Sequence, residues 1–299
     1  MKGLQRLVDM YRIHGILSVI SFYIGRQYPF KWLFRQLSLR WLIRVKIHGS
    51  YMSLDAHDPG ISTILLMQGT REPGHVEQVK NNIKPGMTGI DLGANIGYYA
   101  LMEAQLVGAT GKIYAIEPEP GNIDLLKKNI EGNGFQNRFS ISQYLVGDRN
   151  EIGKLQISAL SNRHSVSMDG KGEFLEVPMT TLDTFMERNG LTPENIDFLR
   201  MDIEGYEVIA FQGMSQLMSA KTPLKIFIEF HPGWYGRWGW TFERFLDYLE
   251  SFDFRVRSLA IKGEDRIITM KDPSREQIMA TQISPRTING GCHGFLERA

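Results

Sequence analysis

The fold is decided by the stretch Ile90-Asp91-Leu92-Gly93-Ala94-Asn95-Ile96-Gly97-Tyr98-Tyr99. Apolar residues lead up to Asp91, a glycine-rich corner follows, and the run from Tyr98 to Leu106 predicts a helix. Such a strand–turn–helix corner opens a Rossmann-like unit, because glycines let the backbone turn tightly and lie close to a ligand.

The spacing of this corner indicates the kind of ligand. In Gly93-x-Asn95-x-x-Gly97, Asn95 stands where the dinucleotide fingerprint has its middle glycine. That glycine normally lets a pyrophosphate approach the backbone. A side chain there disfavours a dinucleotide and favours a ligand without phosphates. S-adenosylmethionine fits, because its carboxylate is still stabilised by a helix N-terminus.

The composition predicts a chain with a full hydrophobic core. Of the 299 residues, 42% are apolar, which favours one domain plus an elaboration. The single cysteine, Cys292, excludes an intramolecular disulfide framework and suits a reducing compartment. We therefore expect a cytoplasmic protein in which Cys292 is structural.

The first 48 residues differ from the rest in charge. They hold nine Lys and Arg against one acid, Asp9, so they carry +8 while the remainder carries −7. The apolar run Ile13–Ile24 is too short to span a bilayer and lacks a signal-peptide cleavage site. A second apolar and basic stretch, Lys31–Lys46, presents no clean amphipathic face. We expect helices packed on the main domain, and a peripheral contact with anionic membrane lipid remains open.

Beyond the corner, apolar strands alternate with helices. The predicted strands are Thr88–Leu92, Lys112–Ile116, Phe139–Val146, Ile196–Met201 and Lys225–Phe230, with Phe254–Ala260 and Gly291–Arg298 as closing strands. Helices are expected between them, near residues 122–131, 204–219 and 242–250. This alternation predicts a parallel sheet that is covered on both faces.

The domain organisation follows from this pattern. We expect a helical N-terminal extension over residues 1–50 and one domain over residues 51–299. Residues 148–190 form an insertion between the third and fourth core strands. Within it, Leu155–Ser158 and Glu173–Pro178 are expected to pair as a hairpin.

Two acids follow core strands at the edge where open α/β sheets bind ligands. Glu117 ends the second core strand, where it can accept hydrogen bonds from both ribose hydroxyls and repel a 2′-phosphate. Asp202 ends the fourth core strand, within Arg200-Met201-Asp202-Ile203-Glu204-Gly205-Tyr206-Glu207, and should face the ligand.

Further polar residues lie near the same edge. Glu204 begins a predicted helix, where the helix dipole favours a carboxylate with or without a function, and Glu207 is interpreted as solvated surface. His231 follows the fifth core strand and suits proton removal near neutral pH, although a structural role is equally supported. Donors for a divalent cation are present in Asp202, Glu204, Glu229 and His231, but no compact ligand spacing supports a metal site.

The motifs together resemble the FkbM family of S-adenosylmethionine-dependent methyltransferases over roughly residues 54–260. The resemblance rests on Asp91-Leu92-Gly93-Ala94-Asn95-Ile96-Gly97-Tyr98-Tyr99, Glu117-Pro118, Thr181-Leu182-Asp183 and Asp197-Phe198-Leu199-Arg200-Met201-Asp202-Ile203-Glu204-Gly205-Tyr206-Glu207. Arg200 stands where the family commonly has Lys. The resemblance implies a class I methyltransferase fold: an α/β, Rossmann-like, doubly wound and mostly parallel sheet with an antiparallel C-terminal strand. It usually implies methyl transfer to a hydroxyl on a sugar, lipid or secondary metabolite.

We therefore expect an O-methyltransferase that acts on a small-molecule, sugar or lipid-linked hydroxyl. The expected cofactor-binding residues are Asp91, Gly93, Ala94, Asn95, Gly97, Glu117 and Asp202. The hydroxyl proton would go to His231 or Asp202, and no resident metal is expected.

Other functions are less well supported by the residues. The sequence shows no basic and aromatic array typical of nucleic-acid binding, so we do not expect a nucleic-acid partner. A nucleotide-cofactor oxidoreductase stays open, although Asn95 disfavours it. A membrane-associated protein with a catalytically silent domain is the other alternative.

Overall fold

A computed structural model gives the fold of this chain. It describes residues 16–26, 41–158, 163–166, 173–262, 267–281 and 292–298, together with Met10, His14, Leu160 and Ser161. The strands are β1 (Leu42–Ile47), β2 (Ser50–Asp55), β3 (Thr88–Leu92), β4 (Lys112–Ile116), β5 (Phe139–Ser142), β6 (Leu145–Val146), β7 (Glu151–Gln156), β8 (Ser165–Val166), β9 (Phe174–Thr180), β10 (Phe198–Met201), β11 (Lys225–Phe230), β12 (Phe254–Lys262), β13 (Ile267–Lys271) and β14 (Cys292–Arg298).

Helices connect most of these strands. They are α1 (Ile16–Arg26), α2 (Ile61–Gln68), α3 (Pro73–Asn82), α4 (Tyr98–Val107), α5 (Pro120–Glu131), α6 (Leu182–Arg188), α7 (Glu207–Ala210), α8 (Ser215–Ser219), α9 (Pro232–Tyr235), α10 (Phe242–Ser251) and α11 (Arg275–Ala280). Neither β13 nor α11 is predicted from the sequence.

Within the described residues, the central sheet has the order β13-β12-β14-β11-β10-β3-β4-β5. The five strands from β11 to β5 in this order are parallel, whereas β14 runs antiparallel to β11. The chain order reverses between β3 and β10, because β4 and β5 lie on one side of β3 while β10 and β11 lie on the other. The carboxyl ends of β3 and β10 are therefore the topological switch point, where such sheets bind ligands.

Apolar side chains cover both faces of the sheet. Neighbouring strand residues alternate between two core clusters: Phe198 and Phe227 pack in one, and Leu199 and Ile228 pack in the other. Helices α2 to α5 contribute to the first cluster, and α6, α7, α8 and α10 contribute to the second. The predicted doubly wound, mostly parallel sheet with an antiparallel C-terminal strand is confirmed. Cys292 is buried in β14, and burial raises the pKa of its thiol to about 12.

Two predicted elements are wrong in their extent. The third core strand, predicted over Phe139–Val146, is divided: β5 stays in the central sheet, while β6 pairs in parallel with β9 in a second sheet of order β6-β9-β7-β8. The apolar pattern is continuous there, so it does not reveal that the chain changes sheets. In that second sheet β7 and β9 pair antiparallel along their length.

The helix predicted over residues 204–219 is also interrupted. Glu204 and Gly205 have φ angles of +52° and +91°, which a right-handed helix does not contain. Later, Gly213 passes so close to Gly147 that a Cβ atom on it would lie 1.9 Å from the Gly147 carbonyl oxygen. The chain therefore forms α7, a 3₁₀ turn and α8 in place of one helix.

The prediction of a helical extension over residues 1–50 is only partly right. Helix α1 is present, but Leu42–Ile47 is a strand that pairs antiparallel with β2 and buries alternate residues. Residues 27–40, which include most of the second apolar and basic stretch, lie outside the described part of the chain. In the part that is described, no helix combines the length and the apolar character needed to cross a membrane.

Candidate functional site

A cleft opens at the carboxyl ends of β3, β4 and β10, the edge at which such sheets bind ligands. Its described lining comes from the glycine corner, the segment after β4, the inserted sheet and the segment after β10. Of the expected cofactor-binding residues, the lining includes Gly93, Ala94, Asn95, Glu117 and Asp202.

The glycine corner is held in a conformation that depends on residue type. Gly93 has a φ of +80°, and a Cβ atom there would lie 2.1 Å from the Asp202 carbonyl oxygen. Asn95 has a φ of +51°, in the left-handed region that Asn tolerates better than most residues. The corner thus places backbone atoms directly on the cleft wall.

Glu117 is bound to this corner. One of its carboxylate oxygens accepts a hydrogen bond from the Asn95 backbone N–H at 2.8 Å, and the other accepts one from the Glu119 backbone N–H at 3.0 Å. The residue is 4% exposed. Burial raises the pKa of Glu117 to about 7, although hydrogen bonds from Glu119, Asn95 and Asn122 act in the opposite direction. A carboxylate that titrates near neutral pH therefore lies on the cleft wall.

Asp91 and Gly97 support the site without lining the cleft. Among the described lining residues neither appears. Asp91 is fully buried and pairs with Arg200, whose Nη1 lies 2.9 Å from its carboxylate. Gly97 precedes α4 with a φ of +96°, and a Cβ atom there would lie 2.8 Å from a methyl carbon of Leu126. Asp91 thus reaches the cleft only through Arg200, which lines it, and a direct contact of Asp91 with the methionine end stays a prediction.

Arg200 joins two strand-end acids. Its Nη2 lies 3.1 Å from the Asp202 carboxylate, and its guanidinium lies over the Tyr99 ring at 4.1 Å. Burial alone would raise the pKa of Asp202, but Arg200 and Arg71 hold that pKa below its usual range. An acid kept ionised by two guanidinium groups is a weak proton acceptor, so the structure argues against Asp202 as the base.

His231 has a different position from the one expected. The described residues that line the cleft include Asp202 and Glu204 but not His231. Its Nδ1 lies 3.0 Å from the carboxylate of Glu207, and its Nε2 lies 3.6 Å from Glu229. Burial lowers the pKa of His231, but Glu207 and Glu229 outweigh it and raise that pKa well above its usual range. His231 thus contacts acids behind the lining residues and is not placed to take a proton from an acceptor in the cleft.

The burial of Glu207 contradicts the interpretation made from the sequence. The sequence predicts a solvated side chain, but Glu207 is fully buried, and it accepts hydrogen bonds from the Gly205 backbone N–H at 3.0 Å and from His231. The interrupted helix explains the difference, because the turn at Glu204 and Gly205 points Glu207 toward the sheet.

Glu204 lines the cleft in place of His231. Its φ of +52° is uncommon for a residue with a side chain, and such strain is found preferentially at functional sites. Its carboxylate lies 3.8 Å from the Nε2 of His231. Glu204 is therefore the carboxylate that separates His231 from the cleft.

The sequence does not predict that Arg71 and the inserted segment line the cleft. Arg71 lines the cleft and forms ion pairs with Glu72 and, at 3.8 Å, with Glu229. The Ser161 carbonyl oxygen accepts a hydrogen bond from the Asn95 side chain at 2.9 Å, and the Ser161 hydroxyl donates to Asp58 at 2.8 Å. Arg71 and Ser161 belong to no motif, and only folding brings them to the cleft.

The aromatic run that follows His231 serves packing. Tyr235 is fully buried, Trp238 meets the Tyr206 ring at 4.7 Å, and Trp234 packs on Gly205. Among the described lining residues, no aromatic residue of this run appears. These contacts support a packing role for the aromatic residues of this run.

Comparison with known proteins agrees with this site. A family model described as "Methyltransferase FkbM domain" matches residues 91–256. That range begins at Asp91 near the end of β3 and ends in β12, so it includes the glycine corner, β4, β10 and β11.

Individual relatives are more distant. The chain is 40% identical to a protein-L-isoaspartate O-methyltransferase of Methanococcoides burtonii over 55 residues, which are 18% of this chain and 27% of that protein. The chain thus matches only about a quarter of the length of this curated relative.

Solved structures overlap more of the chain at lower identity. A methyltransferase FkbM from Methylobacillus flagellatus is 14% identical, with a TM-score of 0.42 over 78% of this chain and 52% of its own. An S-adenosylmethionine-dependent O-methyltransferase from Thermotoga maritima is 12% identical, with a TM-score of 0.43 over 86% of this chain and 77% of its own. Because the family match covers more than half of the 299 residues, this chain belongs to the FkbM family of S-adenosylmethionine-dependent methyltransferases.

Proposed function

We propose that the protein transfers the methyl group of S-adenosylmethionine to a hydroxyl oxygen on a sugar, lipid-linked or secondary-metabolite acceptor. One observation carries the proposal: a single cleft has the glycine corner and Glu117 on one wall and the carboxylate of Glu204 on another. Such a cleft offers a place for a cofactor and a proton acceptor beside it.

The residues present fit the cofactor. The backbone at Gly93, Ala94 and Asn95 allows close approach of the methionine end, and Glu117 can accept hydrogen bonds from the ribose hydroxyls. Apolar side chains near Glu117, among them Tyr144, suit a flat ring. When bound, S-adenosylmethionine supplies a methyl carbon that bonds to the acceptor oxygen as its bond to sulfur breaks and the electron pair stays on sulfur.

On the acceptor side, we assign the proton to Glu204. This carboxylate lines the cleft, whereas Asp202 is paired with Arg200 and His231 lies behind the wall. Holding the hydroxyl in line with the methyl group supplies much of the rate, and a positioned base contributes about 10²–10⁴-fold. The roles of Asp91 and Gly97 are then to hold Arg200 and the corner in place.

The acceptor is identified by labelling. Cell extract is incubated with the purified chain and S-adenosylmethionine that carries an isotopic methyl group, and products are separated by mass spectrometry. We expect a labelled methyl ether, which survives mild alkali. A label on nitrogen or carbon, or a methyl ester that alkali cleaves, would contradict hydroxyl methylation.

Cofactor affinity is expected to depend on pH through Glu117. Its pKa of about 7 in the free site means that the carboxyl is protonated at lower pH and must lose that proton to accept two ribose hydrogen bonds. The Kd for S-adenosylhomocysteine should therefore fall as pH rises toward 7 and level off above it, with a slope approaching about tenfold per pH unit well below the pKa. Calorimetry from pH 5.5 to 8.5 measures this.

Two variants control the pH experiment. Glu117→Gln should show a flat profile over the same range. Glu117→Ala should weaken the free energy of binding by about 1.5–3 kcal/mol at pH 8, because the charge-assisted hydrogen bonds are lost. An unchanged Kd in Glu117→Ala would place the ribose elsewhere.

We further propose that the N-terminal segment binds the surface of anionic membranes. Residues 1–48 carry +8, and α1 exposes Ile20, Tyr23 and Ile24 while Phe22 packs into the core. These three positions share one helix face, and an apolar helix face within a basic segment is typical of interfacial helices.

Flotation with vesicles that contain phosphatidylserine tests this surface. The full chain should float at low salt and much less at high salt, and Ile20→Ser should reduce flotation. Ile152→Ser, which removes an exposed isoleucine from β7, should leave flotation unchanged. A chain that stays at the bottom at low salt does not bind these membranes.

A further inference from the structure

We propose that Asp202, Glu229 and His231 form a binding site for a divalent transition-metal ion such as Mn²⁺ at the edge of the cleft. Each residue offers a donor atom, and the three atoms lie within 4.8 Å of one another. Donors on opposite sides of one ion are roughly 4 Å apart, so small side-chain movements bring this set into contact with an ion. The spacing of these residues along the chain does not reveal the site, because Asp202 follows β10 while Glu229 and His231 come from β11.

Two of the carboxylates in this set have an oxygen without a hydrogen bond to any described residue. Among the described residues, one carboxylate oxygen of Asp202 and one of Glu229 lack a hydrogen-bond partner. Glu229 is only 5% exposed, and Arg71 approaches its unpartnered oxygen no closer than 3.8 Å. A buried carboxylate oxygen without a donor is costly, and a bound cation would supply the missing interaction.

His231 is oriented as a metal ligand. Its Nδ1 lies 3.0 Å from the fully buried carboxylate of Glu207, and its Nε2 lies 3.6 Å from Glu229. Histidines that bind metals almost always donate their other ring N–H to a carboxylate or carbonyl, which fixes the ring. The contact with Glu207 thus directs Nε2 toward Glu229 and Glu204, which lie 3.6 Å and 3.8 Å from it.

A neighbouring cluster that shares Glu229 is less suitable. Glu72, Glu229 and His293 also lie within ligand distance of one another. However, an oxygen of Glu72 already accepts a hydrogen bond from the Tyr99 hydroxyl at 2.8 Å. The Nδ1 of His293 has no hydrogen-bond partner among the described residues, so its ring lacks the second hydrogen bond that orients a metal-binding histidine. The set around His231 is therefore the better formed of the two.

The donor types indicate the class of ion. One imidazole and two carboxylates suit Mn²⁺, Fe²⁺ or Zn²⁺ better than Ca²⁺, which takes oxygen ligands. Because Asp202 also lines the cleft, an ion here can reach an acceptor oxygen and lower the pKa of its hydroxyl. This last role rests on the proposed function, whereas ion binding does not.

Electron paramagnetic resonance tests the site directly. Free Mn²⁺ gives a signal that is lost on binding, so a titration of the full chain with Mn²⁺ counts the ions bound. The titration is done with S-adenosylhomocysteine present and with no acceptor, so it does not depend on methyl transfer. We expect one Mn²⁺ per chain in this region, and a Kd at least about tenfold higher in Glu229→Gln.

Three further variants test whether these residues hold the ion. Asp202→Asn and Glu207→Gln should both raise the Kd, the second because the His231 ring loses its orientation, whereas Glu243→Gln on the exposed face of α10 should not. Circular dichroism confirms that each variant is folded. The inference is overturned if the parent chain binds no Mn²⁺ at millimolar concentration, if Glu229→Gln binds equally well, or if Glu72→Gln weakens binding while Asp202→Asn does not.

Discussion

Replacing Arg200 by methionine is expected to lower the free energy of unfolding by about 3–5 kcal/mol. The Arg200 guanidinium lies 2.9 Å from Asp91, which is fully buried, and 3.1 Å from Asp202. Methionine fills similar space but leaves Asp91 without its cation and Asp202 without the guanidinium that contacts it. Removing one partner of a buried ion pair is strongly destabilising, because the remaining charge cannot reach water.

Chemical denaturation of the purified variant measures this loss. Arg200→Lys is the matched control, since an ammonium group keeps the positive charge but makes fewer directed contacts. In this variant the free energy of unfolding should fall clearly less than in Arg200→Met. S-adenosylhomocysteine affinity should fall in the methionine variant, because Arg200 also lines the cleft. A methionine variant as stable as the parent chain would show that Arg200 is not what neutralises these acids.

Replacing Glu204 by glutamine is expected to lower turnover by about a hundredfold or more. The amide keeps the shape of the side chain but cannot take the hydroxyl proton. Because the proton moves only near the transition state, the affinity for S-adenosylhomocysteine should stay within a few-fold of the parent value. Turnover with the labelled acceptor and calorimetry of the same preparation give the two values.

The comparison with His231→Gln separates the two candidate proton acceptors. His231 does not line the cleft and contacts the buried Glu207 at 3.0 Å, so its loss should reduce stability as well as turnover. Glu204→Gln should leave stability nearly unchanged. Near-normal turnover in a folded Glu204→Gln variant would contradict the assignment of the proton to Glu204.

The sequence predicts this fold well where the structure depends on local pattern. The strands Thr88–Leu92, Lys112–Ile116 and Lys225–Phe230 appear with the predicted bounds, because each is a short apolar run between turns. The prediction of one strand over residues 139–146 is wrong because its last two residues join another sheet. Their pairing depends on β9, which lies more than 25 residues later in the chain.

The residues of the candidate site also differ in how far the local sequence pattern predicts them. Glu117 and Asp202 could be placed at the cleft because strand-end positions follow from the alternation of strands and helices. His231 also follows a strand, but the direction of its ring depends on Glu207, whose burial depends on the turn at Glu204 and Gly205. Arg71 carries no local signal, since its ion pair with Glu229 joins residues that are far apart in sequence.

Calorimetry of cofactor binding tests the central claim most directly. The full chain is titrated separately with S-adenosylmethionine, S-adenosylhomocysteine and NAD. The cleft formed by Gly93, Asn95 and Glu117 predicts binding of both methionine-derived ligands in the micromolar range and no binding of NAD. Heat from NAD, with none from either methionine-derived ligand, would contradict the account.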